Sequence, residues 1–471
     1  MKTRLDWSAF ENAGQGDAYA DIPATGGDFA RAVAVCIRDR QCQRKPKGVM
    51  CPSFRATDDP AQSPGERVVA LKAALNGELG PDPFASPQLA KAMQLCVGCK
   101  GCKRECANQL DMAAIKIEVL AQRNARMRLP LRDRLFSSLP ALLRHRRLLR
   151  FLVRQRNHAP WLARLTEYVL GISAARSLPV PADAPFTAPA RPAGSGDSDR
   201  DVILFVDTFA REFEPHLATA AITVLERAGY RVEVLSPSAD DPTPDRPLCC
   251  GRTYLSHGRI DEARHEAERM LRALGPALAR GTPVIGLEPS CILSLRDDHL
   301  KLGLGADSHT LAGQVFLFEE FIAREAQRQR MTLEMPRWQG PAVLVHGHCH
   351  AKAVGAMKSL RKVLRMVPGL DFEFIEASCC GMAGNFGLER ENAAMSRRMA
   401  RLDLLPALAA RGRSAAVLAS GFSCRHQIRD LDGRTGLHVA TLLAQALVGL
   451  PDGQMTTPAE PGGAPTTPPD D

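Results

Sequence analysis

From Asp201 onward, short apolar runs alternate with longer amphipathic stretches. VILFV at 202–206, VEVL at 232–235, PVIGL at 283–287, AVLVH at 342–346, FEFI at 372–375 and AAVLA at 415–419 have the length and composition of buried strands. Between them, His216 to Ala228, Asp261 to Leu274 and Ala393 to Ala410 repeat apolar positions at helical spacing. This alternation predicts a parallel α/β sheet. Leu178 to Arg200, rich in Pro, Ala, Gly and Ser, reads as a flexible linker, and the polar stretch after Leu450 as a disordered tail. The expected organisation is an N-terminal extension (1–29), a cysteine-rich helical unit (30–125), a basic amphipathic helical segment (126–177), the linker (178–200), an α/β unit (201–450) and the tail (451–471).

Composition narrows the function. With 45% hydrophobic and 24% charged residues, most of the 471-residue chain should fold. No uncharged apolar run reaches the roughly 18 residues of a spanning helix. The nearest, Thr435 to Pro451, carries His438 and Gln445 and reads as a packed helix. Met1 to Asp21 lacks the zones of a secretory signal, so a cytoplasmic protein is expected. The net charge of +9 is concentrated: eleven arginines and one aspartate lie between Arg126 and Arg164, leaving 50 basic and 51 acidic residues elsewhere. With aromatics at 5% there is little for base stacking, and nucleic acid is not expected as a partner. A basic amphipathic helix suits anionic lipid, a cover over a redox centre, or a docking face.

Fourteen cysteines without an export signal point to metal rather than disulfides. In Cys96-x2-Cys99-x2-Cys102-x3-Cys106 three thiolates wrap one iron–sulfur cube and the fourth characteristically serves a neighbouring cluster. Zinc is the alternative, although its paired motifs are usually separated by a long spacer. The proline usual after the fourth cysteine is replaced by Ala107, but Pro52 follows Cys51. Upstream, Cys36 and Cys42 have the span of the first and third ligands, with Asp39 at the middle position. The cross-over rule assigns Cys36, Asp39, Cys42 and Cys106 to one four-iron cluster, and Cys96, Cys99, Cys102 and Cys51 to the other. Oxygen ligation at Asp39 would make that iron labile; the alternatives are a three-iron cluster or an outside ligand. Arg38, Arg40, Arg44, Lys45, Lys100, Lys103 and Arg104 would raise the potential of an anionic cluster, or simply be solvated surface charge.

The α/β unit contains a repeat. Cys249-Cys250-Gly251 recurs as Cys379-Cys380-Gly381, and Cys291 recurs as Cys424, defining halves 201–335 and 341–447. The second half collects Cys349, Cys379, Cys380 and Cys424, with His346, His348 and His350 nearby. The first offers only Cys249, Cys250 and Cys291, with Asp207 near the place of Cys349. Adjacent thiols suit different irons of an open cluster better than one iron of a cube. Packing or hydrogen bonding is the simpler role for the histidines, metal ligation or a proton relay the alternatives. Cys379, Cys380, His348 and His350 are the catalytic candidates, and Ala383 to Gly387 reads either as the opening of a helix whose amides face the site or as a plain turn.

CIRDRQCQRKPKGVMCPSFRAT followed by CVGCKGCKREC resembles the two-cluster module attached to flavin-dependent 2-hydroxyacid dehydrogenases of the D-lactate and D-2-hydroxyglutarate type. CCGRTYLSHG, GLEPSC, HGHCHAKA, ASCCGMAGNFG and SGFSCRHQI are similar to the Cys-Cys-Gly domain of those proteins, of the glycolate oxidase iron–sulfur subunit, and of the cysteine-rich subunits of anaerobic glycerol-3-phosphate dehydrogenase and heterodisulfide reductase. The resemblance implies an α-helical two-cluster ferredoxin-like domain followed by an α/β domain with two related Cys-Cys-Gly halves. It also implies two 4Fe-4S clusters, one of them 3Fe-4S in the alternative, and a non-cubane cluster in the second domain. Against the non-cubane cluster, Gly421 stands where the full motif has a cysteine. About 30 residues precede Cys36 and no G-x-G-x-x-G turn occurs, so FAD is expected on a partner dehydrogenase subunit. Electrons would pass on towards quinone or a membrane acceptor, with the chain peripheral on the cytoplasmic face of the inner membrane. A heterodisulfide reductase acting at Cys379 and Cys380, and a zinc-stabilised interaction module, are the rival readings.

Overall fold

The computed structural model describes residues 1–44, 48–189 and 199–449. Lys45, much of the expected linker and the expected tail lie outside them. Among the described residues no strand precedes Asp201, and the cysteine-rich unit is helical. Its helices Pro64–Leu75, Pro87–Gln94 and Met112–Asn124 start where the sequence supplies a cap: Ser63 Oγ accepts from Glu66 N–H, Ser86 Oγ from Gln88 N–H and an Asp111 carboxylate oxygen from Ala114 N–H. Phe29, Leu71, Leu89 and Ile115 form the core, which continues into Tyr254, Ile260 and Ala263 of the α/β unit.

The α/β unit has seven strands in two all-parallel sheets. β1 (Asp201–Phe205), β2 (Arg231–Val234), β3 (Val284–Gly286) and β4 (Val315–Leu317) lie in the order β2-β1-β3-β4. β5 (Val343–Val345), β6 (Phe372–Phe374) and β7 (Ala416–Leu418) lie in the order β6-β5-β7. Six strands fall on the six apolar runs. The seventh, β4, was not anticipated because VFL runs straight into helix Phe318–Gln327 and reads as part of its apolar stripe. Leu437 makes a lone parallel bridge to Leu418, the place β4 holds beside β3, and helix Val439–Val448 follows it. The two sheets therefore share one strand order. Helix Pro215–Arg227 packs on Val439–Val448, and Phe318–Gln327 on Met357–Arg365, so equivalent helices cross-pack between the halves. Leu217, Leu225, Phe321, Val363 and Leu442 fill this shared layer.

The N-terminal extension is packed: the buried Glu118 carboxylate accepts from Arg4, Leu5 and the Trp7 indole, and Leu5 and Trp7 join the core. Two segments, the linker and Ala393 to Ala410, differ from expectation. The first part of the expected flexible linker is a strap, with Ala182 N–H donating to Glu212 O and Phe186 N–H to Arg211 O, each at 2.8 Å, and with Phe186 buried in the sheet core. Ala393 to Ala410 breaks into Ala393–Leu402 and Leu404–Ala410, since Pro406 lacks the N–H that a continuous helix would bond to Leu402. The basic segment forms a helical hairpin, Arg146–His158 and Pro160–Leu170. Arg146 and Arg156 tie it down through Glu212 and the Ser173 and Arg176 carbonyls. Leu148, Phe151, Leu152, Trp161, Leu165, Tyr168 and Val169 stay exposed. Among the described residues no helix is long and apolar enough to cross a membrane.

Candidate metal centres

The cysteine-rich unit holds two neighbouring cavities. One is lined by Cys36, Asp39, Cys42 and Cys106, the other by Cys51, Cys96 and Cys99; Cys102 lines both. Cys99 sits between two left-handed residues, Gly98 and Lys100, both with φ of 60°, so the chain wraps around the second cavity. Cys102 follows on helix Gly101–Glu105. Burial pushes the thiols of Cys36, Cys42, Cys99 and Cys102 up. Thiols so crowded and desolvated ionise only against a cation that takes their charge, and a donor set dominated by sulfur suits iron–sulfur or zinc rather than a hard cation. The donors around the two adjoining cavities fit iron–sulfur ligation.

A buried arginine and a half-buried lysine serve the second cavity, and sequence reading did not single them out. The Arg67 guanidinium is 1% exposed and donates to Cys51 Sγ at 3.3 Å, Ser53 Oγ at 2.8 Å and Ala92 O at 3.0 Å. Burial opposes its charge, but Cys51 and Cys96 outweigh that penalty. Lys116 donates to the Cys96 carbonyl. The signal was present as an arginine among the apolar positions of PGERVVALKAAL. Lys100 and Lys103, by contrast, are engaged in ion pairs with the α/β unit. Lys100 Nζ pairs with Asp297 at 2.6 Å and Asp298 at 2.7 Å, and Lys103 pairs with Asp297 at 2.6 Å. Arg252 joins Asp298 at 3.0 Å, so this ion-pair knot pins the loop after Cys99 to the α/β unit.

In the second half of the α/β unit, the loops after β5, β6 and β7 bring Cys349, Cys379, Cys380 and Cys424 together. Ligand atoms of His346, Cys380 and Cys424 lie within 4.8 Å of one another. Hydrogen bonds from Cys349 and Cys380 pull the Cys379 thiol well down, while Cys380 shares a hydrogen with Cys424. Lys352, half-buried, bears its charge on all four sulfurs. Gly381 has φ of 88°, and a Cβ there would lie 2.3 Å from Ser396 O, which is why glycine follows the cysteine pair. At Gly421 a Cβ would lie 2.3 Å from His348 Cδ2 and 3.3 Å from Cys424 Sγ, so the His348 ring occupies the space of the missing cysteine. His348 and His350 hydrogen-bond as the simpler reading expects: His348 Nδ1 accepts from His350 N–H, and His350 Nε2 bonds Gly98 O at 3.0 Å. His346 departs from it. Burial pushes it down to about 3, and neither ring nitrogen finds a hydrogen-bond partner among the described residues. Of the two readings for Ala383 to Gly387, the helix is absent; Ala383 has φ of 44° and only the 3-10 turn Phe386–Leu388 forms.

The first half gathers Cys249, Cys250 and Cys291, linked through hydrogen bonds to Cys250. Asp207 caps helix Thr208–Glu212 as His348 caps Cys349–Ala353, so Asp207 matches His348, and Thr208 matches Cys349. Glu288, which sequence reading passed over, matches Gly421 as the cap three residues before its cysteine. Its Oε2 accepts from Phe422 N–H at 2.7 Å, reaching into the other half. Burial, and then Glu288, push the Asp207 carboxyl up to about 7.

The sites form a file. Cys102 is common to both cavities, and the Cys99 thiol feels the charge of Cys379 across the boundary between units. Helix Gly101–Glu105 packs on Cys349–Ala353 at that boundary.

No family model matches the chain. It is 28% identical over 248 residues to a subunit of the anaerobic glycerol-3-phosphate dehydrogenase of Escherichia coli (strain K12), covering 52% of this chain and 59% of the relative. It is 22% identical over 482 residues to D-2-hydroxyglutarate dehydrogenase of the same strain, covering 89% of this chain and 45% of that protein. Lactate utilization protein A of Bacillus velezensis (strain DSM 23117 / BGSC 10A6 / LMG 26770 / FZB42) is 25% identical over 195 residues, 40% of this chain and 75% of the relative. The chain spans about half the length of the first two relatives. The homologues of this chain are dehydrogenase and lactate-utilisation proteins, and they match the Cys-Cys-Gly-containing dehydrogenase family that its cysteine motifs resemble.

Proposed function

We propose that this chain is the iron–sulfur electron-transfer component of a flavin-dependent 2-hydroxyacid dehydrogenase, of the D-lactate, glycolate or D-2-hydroxyglutarate class. The observation that carries the reading is the file of thiols from Cys36 and Cys42 through Cys102 and Cys99 to Cys349 and Cys379. Clusters held there would supply one-electron oxidation and reduction. The chain's own part is to hold the thiolates, offset their charge with Arg67, Lys116 and Lys352, and exclude water by burying most of the donors. Hydride removal from the 2-hydroxyacid falls to a partner's FAD, and the electrons leave towards quinone or another membrane acceptor. The exposed apolar face of Arg146–His158 and Pro160–Leu170, rimmed by Arg147 and Arg164, suits contact with anionic lipid at that membrane.

Anaerobic purification or reconstitution tests this reading through iron, sulfide and zinc content. Both iron and acid-labile sulfide are expected, with flavoprotein-dependent reduction of the chain by a 2-hydroxyacid. Zinc without sulfide would leave the interaction-module reading instead. The lowered Cys379 thiol beside Cys349 and Cys380 favours one second reading, disulfide or heterodisulfide reduction at the Cys-Cys-Gly site. Thiol-linked turnover by the chain alone would select it.

A further inference from the structure

We infer that Asp39 supplies an oxygen ligand to the cluster held by Cys36, Cys42 and Cys106, leaving that cluster one exchangeable iron at the protein surface. The inference rests on the two-cluster reading above and goes beyond it to the chemistry of a single corner. Its support is a match of backbone. Asp39 lies between Arg38 and Arg40, whose φ values are 61° and 57°, just as Cys99 lies between Gly98 and Lys100 at 60° each. In both loops the next element is a short helical turn carrying the third cysteine, Gln41–Gln43 with Cys42 and Gly101–Glu105 with Cys102. A left-handed arginine is strained, and two of them bracketing one residue are a local cost that the wrapped loop imposes. Asp39 thus stands at the middle-ligand position.

Its surroundings agree. Asp39 lines the cavity with the three cysteines, and its charge bears on the Cys36 thiol. Its Oδ1 accepts from Gln41 N–H at 3.1 Å, which orients the carboxylate within the loop. The two corners differ in exposure: Cys99 is buried, whereas Asp39 is exposed. A hard, water-facing carboxylate holds iron less firmly than a buried thiolate does. The iron at Asp39 is therefore the one that leaves first, and it does so without disturbing the three thiolate-held irons.

The test uses full-length wild type, Asp39→Cys and Asp39→Ala, each reconstituted anaerobically and then treated with a mild one-electron oxidant. Iron is counted, and the electron paramagnetic resonance signal of a three-iron cluster is followed. Wild type is expected to lose one iron per chain on oxidation and gain the three-iron signal, and to recover both on adding ferrous iron with reductant. Asp39→Cys is expected to keep its full iron, and Asp39→Ala to show the three-iron signal before any oxidant. If both clusters are present and Asp39→Ala matches wild type before and after oxidation, the Asp39 inference fails and the two-cluster reading stands. If all three proteins hold iron and sulfide for only one cluster or none, the two-cluster reading fails and this inference with it.

Discussion

Arg67 shows how one residue can report a charge that lies outside the protein's own atoms. It is fully buried, and its guanidinium points at Cys51 rather than at a carboxylate. A buried cation facing neutral thiols is poorly compensated, whereas one facing an anionic cluster is well placed. Arg67→Met, which keeps the bulk and removes the charge, should therefore act differently in the two states. Without clusters its effect on thermal stability should stay within about 1 kcal/mol. With clusters the loss should be on the order of 2–4 kcal/mol, the size of a close ion interaction at an effective dielectric near 20. The reduction potential of the Cys96 cluster should fall as well. Melting of both forms and a redox titration check these outcomes. Glu288 is the corresponding case in the α/β unit, where it joins the two halves through Phe422 N–H.

At the scale of elements, helix Phe318–Gln327 carries an unusual group in the shared layer. Glu319 is 2% exposed, and its Oε2 finds no hydrogen-bond partner among the described residues. Burial, aided by Glu320, pushes its carboxyl up to about 7 from 4.5. The unfolded chain therefore ionises before the folded one does. Stability should fall as pH rises from about 4.5 to about 7 and level off above that. Glu319→Gln removes this slope. The variant should match wild type near pH 4 and exceed it at pH 8 by up to about 3 kcal/mol, read as melting temperature against pH. A variant that parallels wild type across the range would show that Glu319 does not titrate with folding. The same helix follows β4, the strand hidden from periodicity because its three residues continue directly into a helical apolar stripe.

At the scale of the whole molecule, the basic hairpin leaves an apolar face exposed. Trp161 is 66% and Tyr168 84% exposed on the same helix, while Arg146 and Arg156 are spent on internal contacts. Vesicles rich in anionic lipid should co-sediment the chain more strongly than neutral vesicles, and 1 M salt should weaken that binding. Replacing Leu148 and Trp161 together by glutamate should reduce vesicle binding at least about tenfold while leaving the iron content unchanged. Equal binding by the variant would remove lipid as the occupant of this face.

The set of candidate donors was legible in the linear chain, because ligand spacing in Cys96 to Cys106 and in the two Cys-Cys-Gly motifs is a local property. Six of the seven strands were readable for the same reason: each fills an apolar run bounded by turns. Other features depend on residues far apart in the chain that meet only on folding. The contact of the Cys99 loop with Cys349 and Cys379, the ion pairs from Lys100 to Asp297 and Asp298, and the burial of Arg67 all belong there. Spacing along a chain can name a ligand set, but the order in which such sets stand beside one another follows from helix packing across the boundary between the units.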